Sequence, residues 1–437
     1  MFPDTLSRPP SRHPGRRLAT PAAAVSLAIA AGAVAAQDRP LEGMTLTVAS
    51  MNDQFSTALV DLAPRFEEQT GAELRVDILG YGELLTKTTA DFIGNTETYD
   101  LVTMDIVWAG SYAQNGHSVD LTDWVERNAD ELALDDIYPE ILRSIGQYDG
   151  RYVAFPLAAY ANVLAYRTDW MNEEGLSPPE TMEEFVSHAK TLTEPDDKQF
   201  GFVANGQAGA PSAQDWMQYN NQFGGSIMGP DGMPALNSPA NVASLEIFKE
   251  LFTTAAPPGA TGYDWGAREQ SFRQGLVAMM QTWSVGAPGY SDPESSNVVG
   301  DVGIAVPPVA EGVPTKYGIG GWGIAINADI SEDQQEAAKE FIKWIVSPEI
   351  HKEFNMLGAG AFMRKSQMTD EDLLAEYSFL PVLAEVYANG DGDYRPRIPQ
   401  YPEMQDYLGT AVNSVLAGEV DAQTALDEAQ AKAMDLF

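Results

Sequence analysis

Thr45-Leu46-Thr47-Val48-Ala49-Ser50, Glu73-Leu74-Arg75-Val76-Asp77-Ile78-Leu79 and Tyr99-Asp100-Leu101-Val102-Thr103-Met104 are short runs separated by two helical stretches. The first reads as a buried strand. The second alternates, with Leu74, Val76 and Ile78 on one face, and the third delivers Asp105 at its C-terminal end. Between the first two, Phe55, Leu59, Leu62 and Phe66 recur at helical spacing, and Gly71 is the stop. Pro64 falls inside this segment and predicts a kink or two short pieces. A second helix is expected from about Gly82 to Ile93. The resulting β-α-β-α-β order predicts an α/β fold with a parallel sheet and helices on both faces. Ligands of such sheets sit beyond the carboxyl ends of the strands. That rule groups Asn52-Asp53, Gly80-Tyr81 and Asp105–Trp108 around one cleft.

The rest of the chain keeps alternating. Val153–Pro156 and Ala161–Arg167 read as extended, and Thr181–Leu192 as helix. Residues 203–238, rich in Gly, Pro and Asn, are expected to be mostly loop. Ala243–Phe252 and Ala267–Gln274 read as helices, and Leu276–Thr282, Val302–Val306 and Gly323–Ile326 as strands. Ser331 and Gln334 form a capping-box pair that opens a helix to Val346. Met404, Leu408, Ala411 and Val415 make one helical stripe ended by Gly418, and Asp421–Leu436 is a last helix.

At the N-terminus, Arg8, Arg12, Arg16 and Arg17 precede an apolar Ala-rich run from Leu18 to about Ala36. The run closes on Ala33-Val34-Ala35-Ala36-Gln37, as in a cleaved export signal. Residues 1–36 are therefore expected to be a signal peptide and the mature protein periplasmic. The chain has no cysteine, so a lipid anchor, disulfides and thiolate metal sites are excluded. Nothing else approaches the roughly 20 apolar residues of a membrane helix. A formal net charge of −37 repels phosphate backbones and argues against nucleic-acid partners. About 400 mature residues exceed the ~250–300 at which one core divides, so two lobes are expected.

Enzyme signatures are absent. No GxSxG or Walker-type GxxxxGK[ST] occurs, and His13, His117, His188 and His351 lack zinc-ligand spacing. Asn389-Gly390-Asp391-Gly392-Asp393 lacks the later bidentate Glu of a calcium loop and reads as a turn. No cofactor is expected.

Several motifs occur in the order found in one family. The first half carries Tyr99-Asp100-Leu101-Val102, Tyr112-Ala113-Gln114-Asn115-Gly116, Asp120-Leu121 and Arg151-Tyr152-Val153-Ala154-Phe155-Pro156. Later come Phe272-x-x-Gly275-x-x-Ala278-Met279 with Trp283, Gly303–Pro308, Gly320-Gly321-Trp322 and Ala338–Ile345. Each is weak alone, but together they resemble the periplasmic solute-binding proteins of ABC importers, in the maltose-binding-like sugar/polyol branch. The resemblance implies a two-lobe fold, each lobe a mostly parallel sheet flanked by helices, joined by a three-segment hinge. It places lobe 1 at 44–157 and 308–360 and lobe 2 at 158–307 and 361–437. The hinge crossings fall near Leu157–Asn162, Val306–Gly312 and Gly358–Arg364. It implies a monomer that captures a sugar or polyol and hands it to ABC permease subunits with their ATPase. The same fold could instead hold a polyamine or amino acid, and a secreted glycoside hydrolase is a third reading.

A polyol ligand wants aromatic plates beside Asp, Asn, Arg and Gln, because each hydroxyl both donates and accepts. By position, the resemblance offers Trp283 as the stacking ring, against a core role. It brings Trp108 and Asp105 into the loop that contacts ligand, and Tyr160 to the first crossing. Asp105 competes with a helix-cap role. Asn52, Asp53 and Tyr81 follow strand ends, and Trp216 with Gln214 lies in the loop-rich region. Asp264 sits in Gly262-Tyr263-Asp264-Trp265-Gly266, and Trp322 between glycines is cleft floor or packed hinge. Arg364, at the third crossing, reaches ligand or makes a surface salt bridge. The branch often has Pro before this Arg, where this chain has Met363.

Overall fold

In the computed structural model, which describes residues 39–437, the chain begins with the expected unit; the proposed signal peptide lies outside the described residues. Strand β1 (Thr45–Met51) pairs in parallel with β2 (Glu73–Leu79) and with β3 (Leu101–Asp105). Helix Gln54–Thr70 connects β1 to β2 and buries Phe55, Leu59, Leu62 and Phe66, each worth ~1.5–3 kcal/mol. Gly71 ends it in the left-handed conformation at φ 83°. Pro64 does not break this helix, contrary to expectation. It sits on the exposed face, as does Val60, so the carbonyl it deprives of a donor faces water.

A short hairpin, β4 (Gln147–Tyr148) with β5 (Arg151–Tyr152), leads to the longest strand, β6 (Phe155–Arg167). The two extended pieces read from the sequence are thus one strand. Its first half pairs antiparallel with β9 (Tyr317–Ile326). Its second half pairs antiparallel with β7 (Met279–Trp283) and β8 (Val302–Ala305). A register shift between Pro156 and Ala158 accommodates the proline. β9 also pairs antiparallel with β3, giving the order β2-β1-β3-β9-β6-β7, and β10 (Gly390–Asp391) adds to β9. β6 therefore belongs to both halves of a curled sheet and carries the chain between them. The architecture is the two-lobe α/β fold.

Helix Ala210–Gln222 occupies a stretch expected to be loop. It is buried on nearly every side, so it shows no amphipathic stripe, and its buried positions hold Gln214, Asp215, Gln218 and Asn220. It packs against helix Tyr401–Leu416, where Ser212 donates to the Gly409 carbonyl at 2.9 Å. The expected capping box at Ser331 is only half formed. Ser331 accepts from the Gln334 amide at 3.3 Å, but the Gln334 side chain donates instead to Thr45 O and Asp100 Oδ1, tying this helix to β1. A complete box opens helix Met182–Thr191 at Thr181 and Glu184.

The segment Gly358–Arg364 is held by buried polar groups. Asn355 Oδ1 accepts from Ala361 N at 2.7 Å, and Gln367 Oε1 accepts from Met363 N and Arg364 N at 3.1 and 3.0 Å. His351 links this network to β6. Its Nε2 lies 3.0 Å from the Leu157 carbonyl and its Nδ1 2.9 Å from Gln367 Nε2. A carbonyl only accepts and that amide nitrogen only donates, so the proton is on Nε2. Burial lowers the imidazole to about 3, below its ordinary value near 6.5. Between those values the unfolded chain takes a proton that the folded protein refuses. Stability from this site is complete above about pH 6.5 and is lost as pH falls toward 3. The His351→Gln variant is expected to show a shallower loss of unfolding free energy between pH 7 and 5 in urea titrations. An unchanged slope would remove His351 as its source.

Candidate functional site

A cleft of about 430 Å³ opens where the carboxyl ends of β1 and β3 meet the crossing strands β6 and β9 and the end of β7. Its floor follows from the ladder. Trp322 pairs with Asp105, Gly320 with Tyr160, and Asn162 with Trp283. Position 320 must be glycine, because a Cβ there would stand 2.7 Å from the Trp283 ring and 3.0 Å from an Arg395 nitrogen. That absence lets both side chains lie on the backbone. The Arg395 guanidinium sits 5.2 Å from the Trp283 ring centroid, a cation–π arrangement.

Asp53 follows the end of β1 and caps helix Gln54–Thr70, its Oδ1 accepting from Gln54 N at 2.8 Å. Its Oδ2 accepts from the Tyr160 hydroxyl at 3.0 Å. Desolvation raises its carboxyl to about 6, with Glu269 across the cleft adding to the rise. Asp105 ends β3, is nearly buried, and accepts from the Tyr81 hydroxyl at 2.9 Å. Arg395 lies 3.7 Å from its other oxygen. Burial raises Asp105 above the usual carboxylate range, while Arg395 and Tyr81 hold the rise down. Each carboxylate retains lone pairs for ligand hydroxyls.

The opposite wall is helix Trp265–Arg273. It presents Trp265, Gly266, Arg268, Glu269 and Arg273 to the cleft. Glu269 accepts from Thr282 Oγ1 at 2.5 Å, Tyr290 at 2.7 Å and Arg268 at 3.0 Å. Arg268 in turn donates from one nitrogen to both oxygens of buried Asp215 at 2.9 Å. Gln214 joins the lining beside this pair.

Of the residues singled out from sequence, Asn52, Asp53, Tyr81, Asp105, Tyr160, Gln214, Trp283 and Trp322 line the cleft. Four do not. Trp108 lies in a second layer, its ring 5.2 Å from Tyr81 and 5.6 Å from Trp322. Trp216 is fully buried inside its helix. Asp264 is exposed and is spent on capping, accepting from Ala267 N at 2.9 Å; its neighbour Trp265 faces the cleft instead. Arg364 is a buried staple. It donates to the carbonyls of Leu132, Ala133 and Val346, the last at the C-terminus of helix Glu332–Val346, where a cation is favoured. Among the lining residues missed were Trp265, Arg268, Glu269, Arg273 and Arg395. For Trp265 the glycine-flanked motif was the available signal, displaced by one residue.

Residues 49–352 match the family of bacterial extracellular solute-binding proteins. The chain belongs to that family. Its place is in the sugar/polyol branch serving ABC importers. A solved solute-binding protein from Agrobacterium radiobacter K84, in complex with ribitol, is 68% identical; the match covers 91% of this chain and 100% of that one, with a TM-score of 0.89. The mannitol-binding protein of Pseudomonas aeruginosa is 24% identical, over 88% of this chain and 91% of its own. A probable amino-acid ABC transporter periplasmic-binding protein of Sinorhizobium fredii is 23% identical, over 93% and 92%. The family and these relatives are binding proteins. No helix among the described residues is long and apolar enough to cross a membrane.

Proposed function

We propose that this protein captures a short polyol, ribitol first among the candidates, and delivers it to the membrane permease of an ABC importer without altering it chemically. The observation that carries the reading is the lining: three carboxylates (Asp53, Asp105, Glu269), three arginines and the rings of Tyr81, Tyr160, Trp265, Trp283 and Trp322 around one small cleft. Carboxylates accept hydroxyl protons, arginine donates to hydroxyl oxygens, and the rings cover C–H faces. The ribitol complex of the 68% identical protein supports this cargo. A periplasmic, unanchored monomer is part of the proposal, as are the lobe limits 44–157 with 308–360 and 158–307 with 361–437. The pairing of β6 with β9 in one half and with β7 and β8 in the other supports such a division.

Thermal shift on the protein from Gln37 onward, against pentitols, hexitols, monosaccharides, polyamines and amino acids, tests it. A ligand at 100 times its dissociation constant adds ~2.7 kcal/mol, a rise of a few degrees for this length. Ribitol or another short polyol should give the largest rise, and Trp283→Ala should weaken its binding at least tenfold. A rise confined to amino acids or polyamines would move the cargo to that class.

A further inference from the structure

Two rings meet across the mouth of the cleft. Tyr81 begins the helix after β2, at one end of the sheet order, and Trp265 begins the helix that leads to β7, at the other. Their centroids are nevertheless 5.8 Å apart, inclined at 46°, and both line the cleft. Each ring is braced from its own side. The Tyr81 hydroxyl is held by Asp105 at 2.9 Å and its ring packs on Trp108 and Trp322. Trp265 occupies the first turn of a helix capped by Asp264.

Glycines flank both rings. Gly80 and Gly82 bracket Tyr81, and Gly266 follows Trp265. A Cβ at Gly80 or Gly82 would meet nothing within 4 Å, and none of the three glycines has a positive φ. Neither packing nor turn geometry requires glycine there. Glycine at these positions widens the range of backbone conformations open beside each ring.

We propose that Tyr81 and Trp265 form a clasp across the cleft that limits cargo length, admitting a single short polyol and rejecting one that carries a further sugar ring. The clasp rests on the polyol reading above. A cargo that fits beneath the two rings leaves them in contact, and that contact then stabilises the closed form. A longer cargo must leave the cleft between them, so it forfeits the contact and holds the lobes apart. A ligand shifts such an equilibrium only by its differential interaction with the two states, and the ring pair is such a difference.

The test compares ribitol with maltitol, an alditol bearing one glucose, by isothermal titration calorimetry on the full mature chain. Wild type should prefer ribitol by at least a hundredfold. Trp265→Ala should shrink that preference at least tenfold, and Trp265→Phe should restore most of it. Tyr81→Phe keeps the ring and loses the hydrogen bond to Asp105; it should weaken both ligands while leaving their ratio unchanged. Circular dichroism and unliganded melting confirm that each variant folds. An unchanged ratio in Trp265→Ala, or wild-type affinities within tenfold of each other, overturns the clasp while the polyol reading stands. Failure of wild type to bind either alditol overturns the polyol reading itself, and the clasp with it.

Discussion

Arg268→Met is expected to lower unfolding stability by about 3–5 kcal/mol, read as an earlier midpoint in urea and a melting temperature lower by several degrees. Arg268 and Asp215 are both buried, with Arg268 donating to both Asp215 oxygens at 2.9 Å. Asp215 also accepts from Asn205 N at 2.7 Å and from Asn205 Nδ2 at 3.0 Å. Removing the guanidinium strands a buried carboxylate that desolvation already pushes above the usual range. It also removes a donor from Thr282 Oγ1 and Glu269 at 2.8 and 3.0 Å. The second substitution, Asp215→Leu in the Arg268→Met background, should recover part of the loss, because it removes the stranded charge. Recovery will be incomplete, because Asn205 then loses its acceptor. A single variant within 1 kcal/mol of wild type would show that water already solvates this pair. The effect reaches function as well: Arg268 orients Glu269, so a variant that still folds should bind polyol more weakly.

How much of this was legible depended on whether burial left a period. The helix Gln54–Thr70 was readable because one face is wet and Phe55, Leu59, Leu62 and Phe66 mark the other. The helix Ala210–Gln222 was not, because burial on nearly every side erases the stripe, and polar residues such as Asp215 and Asn220 pair inside rather than point outward. The same contrast runs through the cleft. Asp53, Tyr81 and Asp105 were found because a strand's carboxyl end is a place visible in one dimension. Arg395 was not, because nothing local in Tyr394-Arg395-Pro396 records that the side chain folds onto Trp283 over Gly320. Arg364 shows the converse. Its position at a crossing suggested a ligand contact, yet its donors go to backbone carbonyls that only the folded loop assembles. Asp264 and Trp265 were separable only once the helix start was known, since the cap position turns one side chain back on the helix and the next toward the cleft.

Asp105→Ala is expected to weaken ribitol binding by two orders of magnitude or more in calorimetric titration at pH 7.5. Three losses combine. A carboxylate that accepts a ligand hydroxyl is worth ~1.5–3 kcal/mol by itself. The Tyr81 hydroxyl, now 2.9 Å from Asp105 Oδ2, loses its acceptor, so the ring that meets Trp265 loses its brace. Arg395, nearly fully buried and 3.7 Å from Asp105, is left without that countercharge. Asp105→Asn separates these losses, since it keeps an acceptor for Tyr81 but not the charge, and it should fall between wild type and alanine. The pH dependence has a definite sign. The carboxylate form accepts hydroxyl protons, and burial raises the titration of Asp105 and brings that of Asp53 to about 6. Wild-type affinity should therefore be full at pH 8 and decline as pH falls through 6, well before ordinary carboxylates protonate. Asp105→Asn should retain only the part of that decline that belongs to Asp53. An affinity flat from pH 8 to 5 would mean that the protonation state of Asp105 and Asp53 does not govern binding. In that case Asp105 serves Arg395 and the fold, and the ligand is held by the aromatic plates and the arginines.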